Sequence, residues 1–400
     1  MDLNPTTPLF DDLPVEDAPV VPMHADAALV RLGEKLPKGV RLGTSSWNFP
    51  GWRGIVYSPS SGSRRMAAEG LAAYAAHPIF RTVGIDRNFY RPLSATEFAR
   101  FGAQVPDDFS FLVKAPRLVT DPFLRHEGGR VAGVNADFLN PKLAFERFLK
   151  PVEQGLGDKT GALVFEISPW PRGALRKAGL VPEVVERIGA FFEALAEKAV
   201  VARVLAAELR NPELLTPRMM RTLKRVGVRP VLGVHPSMPD VRRQISALRW
   251  YETETPEDAA AAAVDDWRFS GPLVIRWSLA QNQFFERARR EWTPFNRIVS
   301  ADPATRTLLA SLIVRAARSG QPVWAVANNK AEGCAPLTMR AMAESVVNLW
   351  AAAEEREARA ALEAEARARR EGRQLEKEKE KAEGPLASDK SEKPEADDPS

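Results

Sequence analysis

Eight short apolar runs recur between residues 40 and 328, and this recurrence limits the fold more than any other feature of the sequence. Each run is almost continuously hydrophobic rather than alternating, which is typical of parallel strands that are buried on both faces. The predicted strands are residues 40–45, 82–88, 109–115, 161–167, 204–209, 229–235, 272–277 and 322–328. Helical patterns follow the strands, so the sequence predicts an α/β protein.

The number of units indicates how the predicted sheet is arranged. Eight strand and helix units over about 310 residues fit a closed (β/α)8 TIM barrel, which typically runs about 250 residues plus insertions. Ser94 and Glu97 have the spacing of a capping box, which predicts a helix over residues 94–104. An open, doubly wound sheet is the alternative interpretation, and we favour the barrel.

Composition divides the chain into four parts. Residues 1–38 are acidic and proline-rich, which predicts a disordered arm, and residues 39–350 form the predicted TIM-barrel domain. Residues 351–383 consist mainly of Ala, Glu, Arg and Lys with almost no apolar stripe, which predicts a charged helical extension. Residues 384–400 are predicted to be a disordered tail.

Charge and cysteine content limit the classes of function. The chain has 56 Lys and Arg against 52 Asp and Glu, and a net charge of +4 does not by itself argue for nucleic acid. One cysteine, Cys334, excludes an intramolecular disulfide and fits a reducing compartment. Four histidines argue against a multi-histidine metal cluster.

Several expected signatures are missing from the sequence. It has no GxGxxG, Walker-type, HExxH, CxxC or GxSxG motif, and therefore no nicotinamide, flavin or haem signature. The acidic start does not resemble a secretory signal, and no run approaches the ~18 apolar residues of a membrane span. We therefore predict a cytoplasmic protein that makes no contact with a membrane.

Polar residues end nearly every predicted strand, where the active sites of TIM barrels gather. These strand-end residues are Thr44, Ser45, Asp86, Asn88, Lys114, Glu166, Glu208, Arg210, His235, Arg276, Asn328 and Asn329. Burying an unpaired charge costs several kcal/mol. We therefore expect the three cations of this group to neutralise its three carboxylates, or to face a water-filled pocket.

Some of these residues also have purely structural interpretations. Glu208 and Arg210 could belong to an internal ion-pair network, and Asn328 and Asn329 could cap the last helix.

Two further segments are open to interpretation in the same way. Residues 278–298 mix arginines with aromatics, which could grip single-stranded nucleic acid, but their spacing favours an ordinary amphipathic helix. The long loop over residues 120–140 is either a lid over the pocket or a plain insertion.

Six motifs in order resemble a known family. GTSSWNFPGWRGIVYSP, GIDRNFYRPLS, FSFLVKAPRLVT, GALVFEISP, LAAELRNPEL and WAVANNKAEGCAP are similar to signatures of the domain-of-unknown-function 72 family. The resemblance covers about residues 40–349 and implies a TIM barrel, but it implies no particular reaction. The mouth residues it implies are Thr44, Trp47, Trp52, Asn88, Tyr90, Lys114, Glu208, Arg210, Arg276, Asn328 and Asn329.

The chain also departs from the family pattern at several positions. Asp86 stands where the family tends to have Asn, and Glu166 stands where Gln is usual. Trp277 lies in a segment that replaces Arg-Leu-His-Gly, and Cys334 occupies the place of a histidine. An inherited activity could therefore be altered or lost.

Two hypotheses about function follow from these residues. In the first, an enzyme uses Glu208, with Glu166 or Asp86, as general acid and base, while Lys114, Arg210 and Arg276 hold an anionic group. Its substrate would be phosphorylated or sugar-like, and hydrolysis is the reaction class predicted first. A divalent metal on the three carboxylates would be Mg²⁺ or Mn²⁺. In the second hypothesis, the barrel is a non-catalytic module that binds nucleic acid or protein, and nucleic acid is the less favoured partner.

Overall fold

The computed structural model describes residues 16–126, 129–171, 173–177, 179–198, 204–253, 267–281 and 283–382. The chain divides into two compact units with the boundary between Leu349 and Trp350. Residues 1–15 of the predicted arm and the predicted tail over residues 384–400 lie outside the described part.

The first unit is built on a closed barrel. Its strands, with those of one hairpin, are β1 (Val40–Thr44), β2 (Phe80–Ile85), β3 (Ser110–Lys114), β4 (Phe123–Arg125), β5 (Val131–Val134), β6 (Thr160–Ile167), β7 (Val204–Leu209), β8 (Arg229–Val234), β9 (Leu273–Trp277) and β10 (Val323–Ala327). All except β4 and β5 close into a ring in the order β1, β10, β9, β8, β7, β6, β3, β2, with every pairing parallel. The TIM-barrel prediction is confirmed, and the doubly wound alternative is wrong.

Helices connect the strands as the sequence predicts. They are α1 (Ala27–Lys35), α2 (Met66–Ala75), α3 (Ala95–Gly102), α4 (Arg117–Thr120), α5 (Pro141–Ala144), α6 (Lys150–Leu156), α7 (Leu180–Ala196), α8 (Pro217–Arg225), α9 (Val241–Glu252), α10 (Phe285–Trp292), α11 (Pro303–Arg318) and α12 (Ala335–Ala382). A π-helical segment, Phe145–Leu149, joins α5 to α6. The capping box at the start of α3 is present, with the Ser94 and Glu97 side chains bonded to each other's backbone N–H groups.

The interior of the barrel holds an apolar layer. Leu112, Ala162, Val164, Ala206, Val231, Val274, Trp324 and Val326 are buried together there. Gly161 makes room for the indole, because a Cβ at this position would lie 2.4 Å from Trp324 Nε1. That nitrogen donates a hydrogen bond of 2.8 Å to Ser110 Oγ, so the one polar atom of this large side chain is satisfied.

An antiparallel hairpin follows the third barrel strand and replaces the predicted loop over residues 120–140. Strands β4 and β5 pair there after the single helical turn α4. Asn135 fixes the hairpin by donating hydrogen bonds of 2.8 Å to the carbonyls of Leu118 and Asp121. Arg125 pairs with the Asp121 carboxylate at 2.7 Å. The prediction of a lid is not tested, but this insertion is a paired element rather than an irregular loop.

The described part of the predicted N-terminal arm, residues 16–38, contains one helix. Helix α1 begins after Asp26, whose carboxylate accepts a hydrogen bond from the Leu29 N–H. Before it, Pro22 forms a bridge with Tyr57. The prolines prevent one continuous helix, as expected, but they do not prevent the arm from lying in defined contacts.

The second unit is helical over its described residues, as far as Ala382. Arg359 pairs with Glu363 at 3.0 Å and Arg367 pairs with Glu371 at 2.9 Å, each one turn apart. Such pairs stabilise exposed helices by about 0.2–0.5 kcal/mol each. Within the described residues, no helix is both long and apolar enough to cross a membrane.

Candidate functional site

A cavity of about 580 Å³ opens where the barrel strands end at their carboxyl termini. Side chains from the ends of β1, β2, β3, β6, β9 and β10 and from the loops beyond them line it. Its lining includes Ser45, Ser46, Trp47, Asn48, Asp86, Arg87, Phe89, Tyr90, Lys114, Glu166, Arg210, His235, Arg276, Phe285, Asn328 and Lys330.

Beneath this cavity lies a network of ion pairs that we call the floor cluster, formed by Asp86, Lys114, Glu166, Glu208, Arg210 and Arg276. Glu166 and Glu208 are directly paired in the register of β6 and β7, so the two carboxylates lie side by side. Arg210 Nη2 lies 2.6 Å from Glu166 Oε2 and 2.6 Å from Glu208 Oε1. The guanidinium thus holds together two carboxylates that would otherwise repel each other.

Arg276 and Lys114 complete the network. Arg276 Nη1 donates to Glu208 Oε2 and lies 3.3 Å from Glu166 Oε2, while its Nη2 lies 2.9 Å from both oxygens of Asp86. Lys114 Nζ lies 2.7 Å from Glu166 Oε2. One carboxylate oxygen of Glu166 therefore meets all three cations, and the formal charges of the six residues cancel.

The electrostatics of the floor cluster follow from this pairing. Burial raises the pKa of Glu166, but Arg210, Lys114 and Arg276 outweigh burial and hold that pKa well below its usual range. Burial lowers the pKa of Arg276, and its three carboxylates more than offset this, so the pKa is raised. The pKa of Lys114 is lowered because burial exceeds the attraction of Glu166. The Glu166 carboxylate stays ionised at neutral pH and has no proton to give.

The geometry corrects the predicted acid–base role of Glu208. Its side chain is 0% exposed, and it does not line the cavity. Both of its oxygens face guanidinium groups, so it can touch neither a ligand nor a water molecule in the pocket. Glu208 is a buried counter-ion for Arg210 and Arg276. Among the three predicted catalytic carboxylates, Asp86 has the most accessible side chain at 30%, against 10% for Glu166.

The three carboxylates do not fit a divalent cation. The described part of the chain has no group of three or more His, Cys, Asp and Glu side chains that could hold a metal. Asp86, Glu166 and Glu208 point their oxygens at Arg276, Arg210 and Lys114, and these cations stand where a metal would need to sit. Mg²⁺ or Mn²⁺ on this set would have to displace three positive groups.

Two further cations lie above the floor cluster, and we call Arg87 and Lys330 the rim cations. Lys330 Nζ lies 4.1 Å from the centre of the Phe285 ring, and Arg87 Cζ lies 4.4 Å from the centre of the Phe101 ring. Neither forms an ion pair with any carboxylate of the described chain. Glu97, the acid that attracts Arg87 across space, is bonded to Arg91 instead.

His235 adds a neutral donor to the cavity. The Ser237 N–H donates to His235 Nδ1 over 3.1 Å, which puts the ring proton on Nε2. Burial, and then the nearby Arg210, lower the pKa of His235 to about 4. The ring is therefore uncharged at neutral pH and offers an N–H group.

Other predicted site residues also line the cavity. Trp47 packs edge-on against Phe101 with ring centres 5.1 Å apart. Asn328 donates a 2.8 Å hydrogen bond to Ser45 Oγ and so ties the end of β10 to the end of β1. Tyr90 and all members of the floor cluster except Glu208 also lie in the wall.

The remaining predicted ligand contacts are buried and do not reach the cavity. Trp52 donates through Nε1 to Asn329 Oδ1 at 3.1 Å, and the same oxygen accepts from the Ala335 N–H at the start of α12. Asn88 donates to the Lys114 carbonyl at 2.8 Å, which fixes the loop after β2 on the end of β3. Thr44 is held by Tyr74. These residues shape the loops rather than the pocket surface.

Several lining residues were not among the predicted ligand contacts: Ser46, Asn48, Arg87, Phe285 and Lys330. Arg87 directly follows Asp86, and Lys330 directly follows Asn329, so each stands one position beyond a predicted strand-end residue. Reading the loops as well as the strand ends would have found these two. Phe285 lies in the segment over residues 278–298, whose helical spacing favours an ordinary amphipathic helix over a grip on single-stranded nucleic acid.

Two of the departures from the family pattern lie away from the cavity. Cys334 is buried at the start of α12, and burial raises the pKa of its thiol to about 11. Trp277 is buried at the end of β9. The other two departures, Asp86 and Glu166, line the cavity and belong to the floor cluster.

Comparison with known proteins identifies the family. The family model described as "Protein of unknown function DUF72" matches residues 41–361. Among solved structures, a DUF72 family protein from Thermotoga maritima MSB8 is 18% identical, with a TM-score of 0.48, and the match covers 76% of this chain and 98% of that one.

A DUF72 family protein from Enterococcus faecalis V583 is 15% identical with a TM-score of 0.47, and the match covers 77% of this chain and 95% of that one. No curated protein matches the chain. Because the family model matches most of the sequence, the chain belongs to the DUF72 family.

Proposed function

We propose that the cavity binds a small phosphorylated molecule of the sugar-phosphate class. The observation that carries this proposal is the excess of positive charge at the rim. The floor cluster is neutral as a whole, whereas Arg87 and Lys330 face the same cavity without a carboxylate partner in the described chain. A partly buried cation without a counter-ion is the natural partner of an anionic ligand.

Uncharged donors support the same ligand class. His235 presents an Nε2 proton, and Ser45, Ser46 and Asn48 bring hydroxyl and amide groups to the wall. Sugar hydroxyls and phosphate oxygens both accept from such groups. A volume of about 580 Å³ lies within the ~300–1,000 Å³ range of small-molecule sites. We also propose a cytoplasmic location, since a chain with one buried cysteine suits a reducing compartment.

Binding can be tested by titration calorimetry with ribose 5-phosphate and with ribose. We expect the phosphorylated sugar to bind at low salt and free ribose to bind at least tenfold more weakly. Lys330→Met should weaken binding of ribose 5-phosphate by about tenfold to 100-fold, because a hydrogen bond to a charged group contributes about 1.5–3 kcal/mol. Lys142→Met, at an exposed position on an outer helix, is the matched control and should change nothing. Equal affinity for ribose and its phosphate would count against the proposal.

Hydrolysis of the phosphate ester is a second candidate function, and the accessibility of Asp86 favours it. This carboxylate lines the cavity, and both of its oxygens accept hydrogen bonds from Nη2 of Arg276. A positioned carboxylate can take a proton from attacking water. Asp86→Asn should then abolish release of phosphate while the protein still binds ribose 5-phosphate. Unchanged turnover in this variant would remove Asp86 from the reaction.

A further inference from the structure

Tyr90 is the most exposed aromatic side chain that lines the cavity, at 69% exposure. It stands between two cavities, because it also lines a second one of about 280 Å³ beside the hairpin β4–β5. Phe89 lines both cavities as well, so these two rings form the shared wall. A ring in this position can contact a ligand that extends from one cavity toward the other.

The Tyr90 ring is braced although it is exposed. Phe89 meets it edge-on, with ring centres 5.2 Å apart and planes at 88°. Lys114 Nζ lies 3.5 Å from the centre of the Phe89 ring, so the floor cluster supports Phe89. Arg117 Cζ lies 6.0 Å from the centre of the Tyr90 ring. A ring held in this way loses little conformational freedom when a ligand stacks on it.

A second exposed ring lies on another part of the rim. Phe285, 49% exposed, follows β9, whereas Tyr90 follows β2, and β1 and β10 separate these two strands in the barrel. Positive charge lies beside both rings. Lys330 lies against the Phe285 ring, and Arg117 lies 6.0 Å from the Tyr90 ring centre. Arg87 precedes Tyr90 in the same short turn and lies over the Phe101 ring. The mouth therefore offers aromatic faces together with positive charge.

Aromatic rings beside unpaired cations suit a ligand that carries both a planar ring and a phosphate. Sugar phosphates have the phosphate but no planar ring. We propose that the ligand is a nucleoside monophosphate, whose phosphate lies between the rim cations and whose base stacks on Tyr90. This inference rests on the proposed function, because it assumes that the cavity binds the phosphate.

The test compares adenosine monophosphate with ribose 5-phosphate by calorimetry on the full chain. Wild type should bind the nucleotide roughly five- to 100-fold more tightly, as expected for one stacked base. Tyr90→Ala should bring the affinity for the nucleotide down to that for ribose 5-phosphate and leave the latter unchanged. Tyr90→Phe should retain the wild-type preference, because the ring and not the hydroxyl makes the contact.

The outcomes separate this inference from the proposal on which it rests. If ribose 5-phosphate binds and the nucleotide binds no better, the ligand is not a nucleotide and the sugar-phosphate proposal stands. If neither binds, both are overturned. A wild-type preference that survives in Tyr90→Ala overturns the role of Tyr90. A single-stranded oligonucleotide that binds much more tightly than the monophosphate overturns the assignment to a mononucleotide and points to nucleic acid.

Discussion

The floor cluster and the rim of the cavity contain the same kinds of charged group in opposite situations. On the floor, Arg210, Arg276 and Lys114 are buried and each meets at least one carboxylate within 2.9 Å. On the rim, Arg87 and Lys330 rest on aromatic rings and meet no carboxylate of the described chain. The charges of the floor cluster neutralise one another, whereas the rim cations can bind an anion.

The difference shows that residue type alone does not reveal a binding residue in a polar barrel. A buried ion pair contributes little net stability, but breaking one leaves an uncompensated charge and is costly. Loss of a charged side chain from the floor should therefore lower the stability of the fold. Loss of a rim cation should leave stability nearly unchanged and should instead change the affinity for the ligand. This contrast can be tested one residue at a time.

The largest expected effect is on stability, from Glu208→Gln. Removing this carboxylate leaves Arg210 and Arg276 short of a buried partner, so we expect a loss of about 3–5 kcal/mol in the free energy of unfolding. Urea denaturation measures it. Glu146→Gln, at an exposed position, is the control and should stay within about 0.5 kcal/mol. A loss below about 1 kcal/mol in Glu208→Gln would mean that the floor cluster is not a structural unit.

A smaller effect is expected on affinity, from Asp86→Asn. This substitution removes the most exposed negative charge of the floor and releases Arg276 Nη2 toward the cavity. We expect ribose 5-phosphate to bind about tenfold more tightly, since two charges about 4 Å apart interact by roughly 1–4 kcal/mol in wet surroundings. Asp107→Asn, which lies before β3 at the other end of the strand, is the control. Weaker binding in Asp86→Asn would make Asp86 a ligand contact rather than a competitor of the ligand.

The smallest effect concerns pH and His235. Its pKa is about 4 in the folded protein, against about 6.5 in an unfolded chain, so the unfolded state binds more protons between these values. The stability that the neutral His235 contributes is fully present above pH ~6.5 and is lost as the pH falls toward ~4. The shift in the pKa of His235 can contribute at most roughly 3 kcal/mol to the free energy of unfolding. Because His235 is partly exposed, we expect a contribution of about 1 kcal/mol.

His235→Asn should remove that part of the pH dependence when unfolding is measured across this range. His77 provides the matched comparison, because burial also lowers its pKa to about 4 and it does not line the cavity. His77→Asn should therefore reduce the pH dependence of the free energy of unfolding over the same range without changing the binding of ribose 5-phosphate. If His235→Asn leaves the curve unchanged, the histidine is not held neutral by the site.

Much of the floor was predictable from sequence, because continuous hydrophobicity located the strands and a closed barrel brings their ends together. Lys114, Glu166 and Arg276 end their strands and meet as expected. The sequence did not predict how deeply each strand-end side chain is buried. Glu208 and Glu166 are register partners, yet the Glu208 side chain is fully covered, because Arg210 and Arg276 both lie against its oxygens.

The rim was less predictable, since loop conformation and distant contacts determine it. Arg87 and Lys330 stand in turns just beyond the strands, and no hydrophobic pattern specifies where such turns point their side chains. Trp52 was predicted as a ligand contact, but its indole reaches Asn329 across 277 positions of sequence. Only the folded chain brings these two together and takes them out of the pocket.

The decisive measurement is titration calorimetry of ribose 5-phosphate into wild type and into the double variant Arg87→Gln/Lys330→Gln. Two unpaired rim cations over a neutral floor predict measurable binding to wild type and at least 100-fold weaker binding to the variant, with the free energy of unfolding within about 1 kcal/mol of wild type. Equal binding to both proteins, or loss of binding only when the floor cluster is altered, would contradict the division of the cavity into a structural floor and a ligand-binding rim.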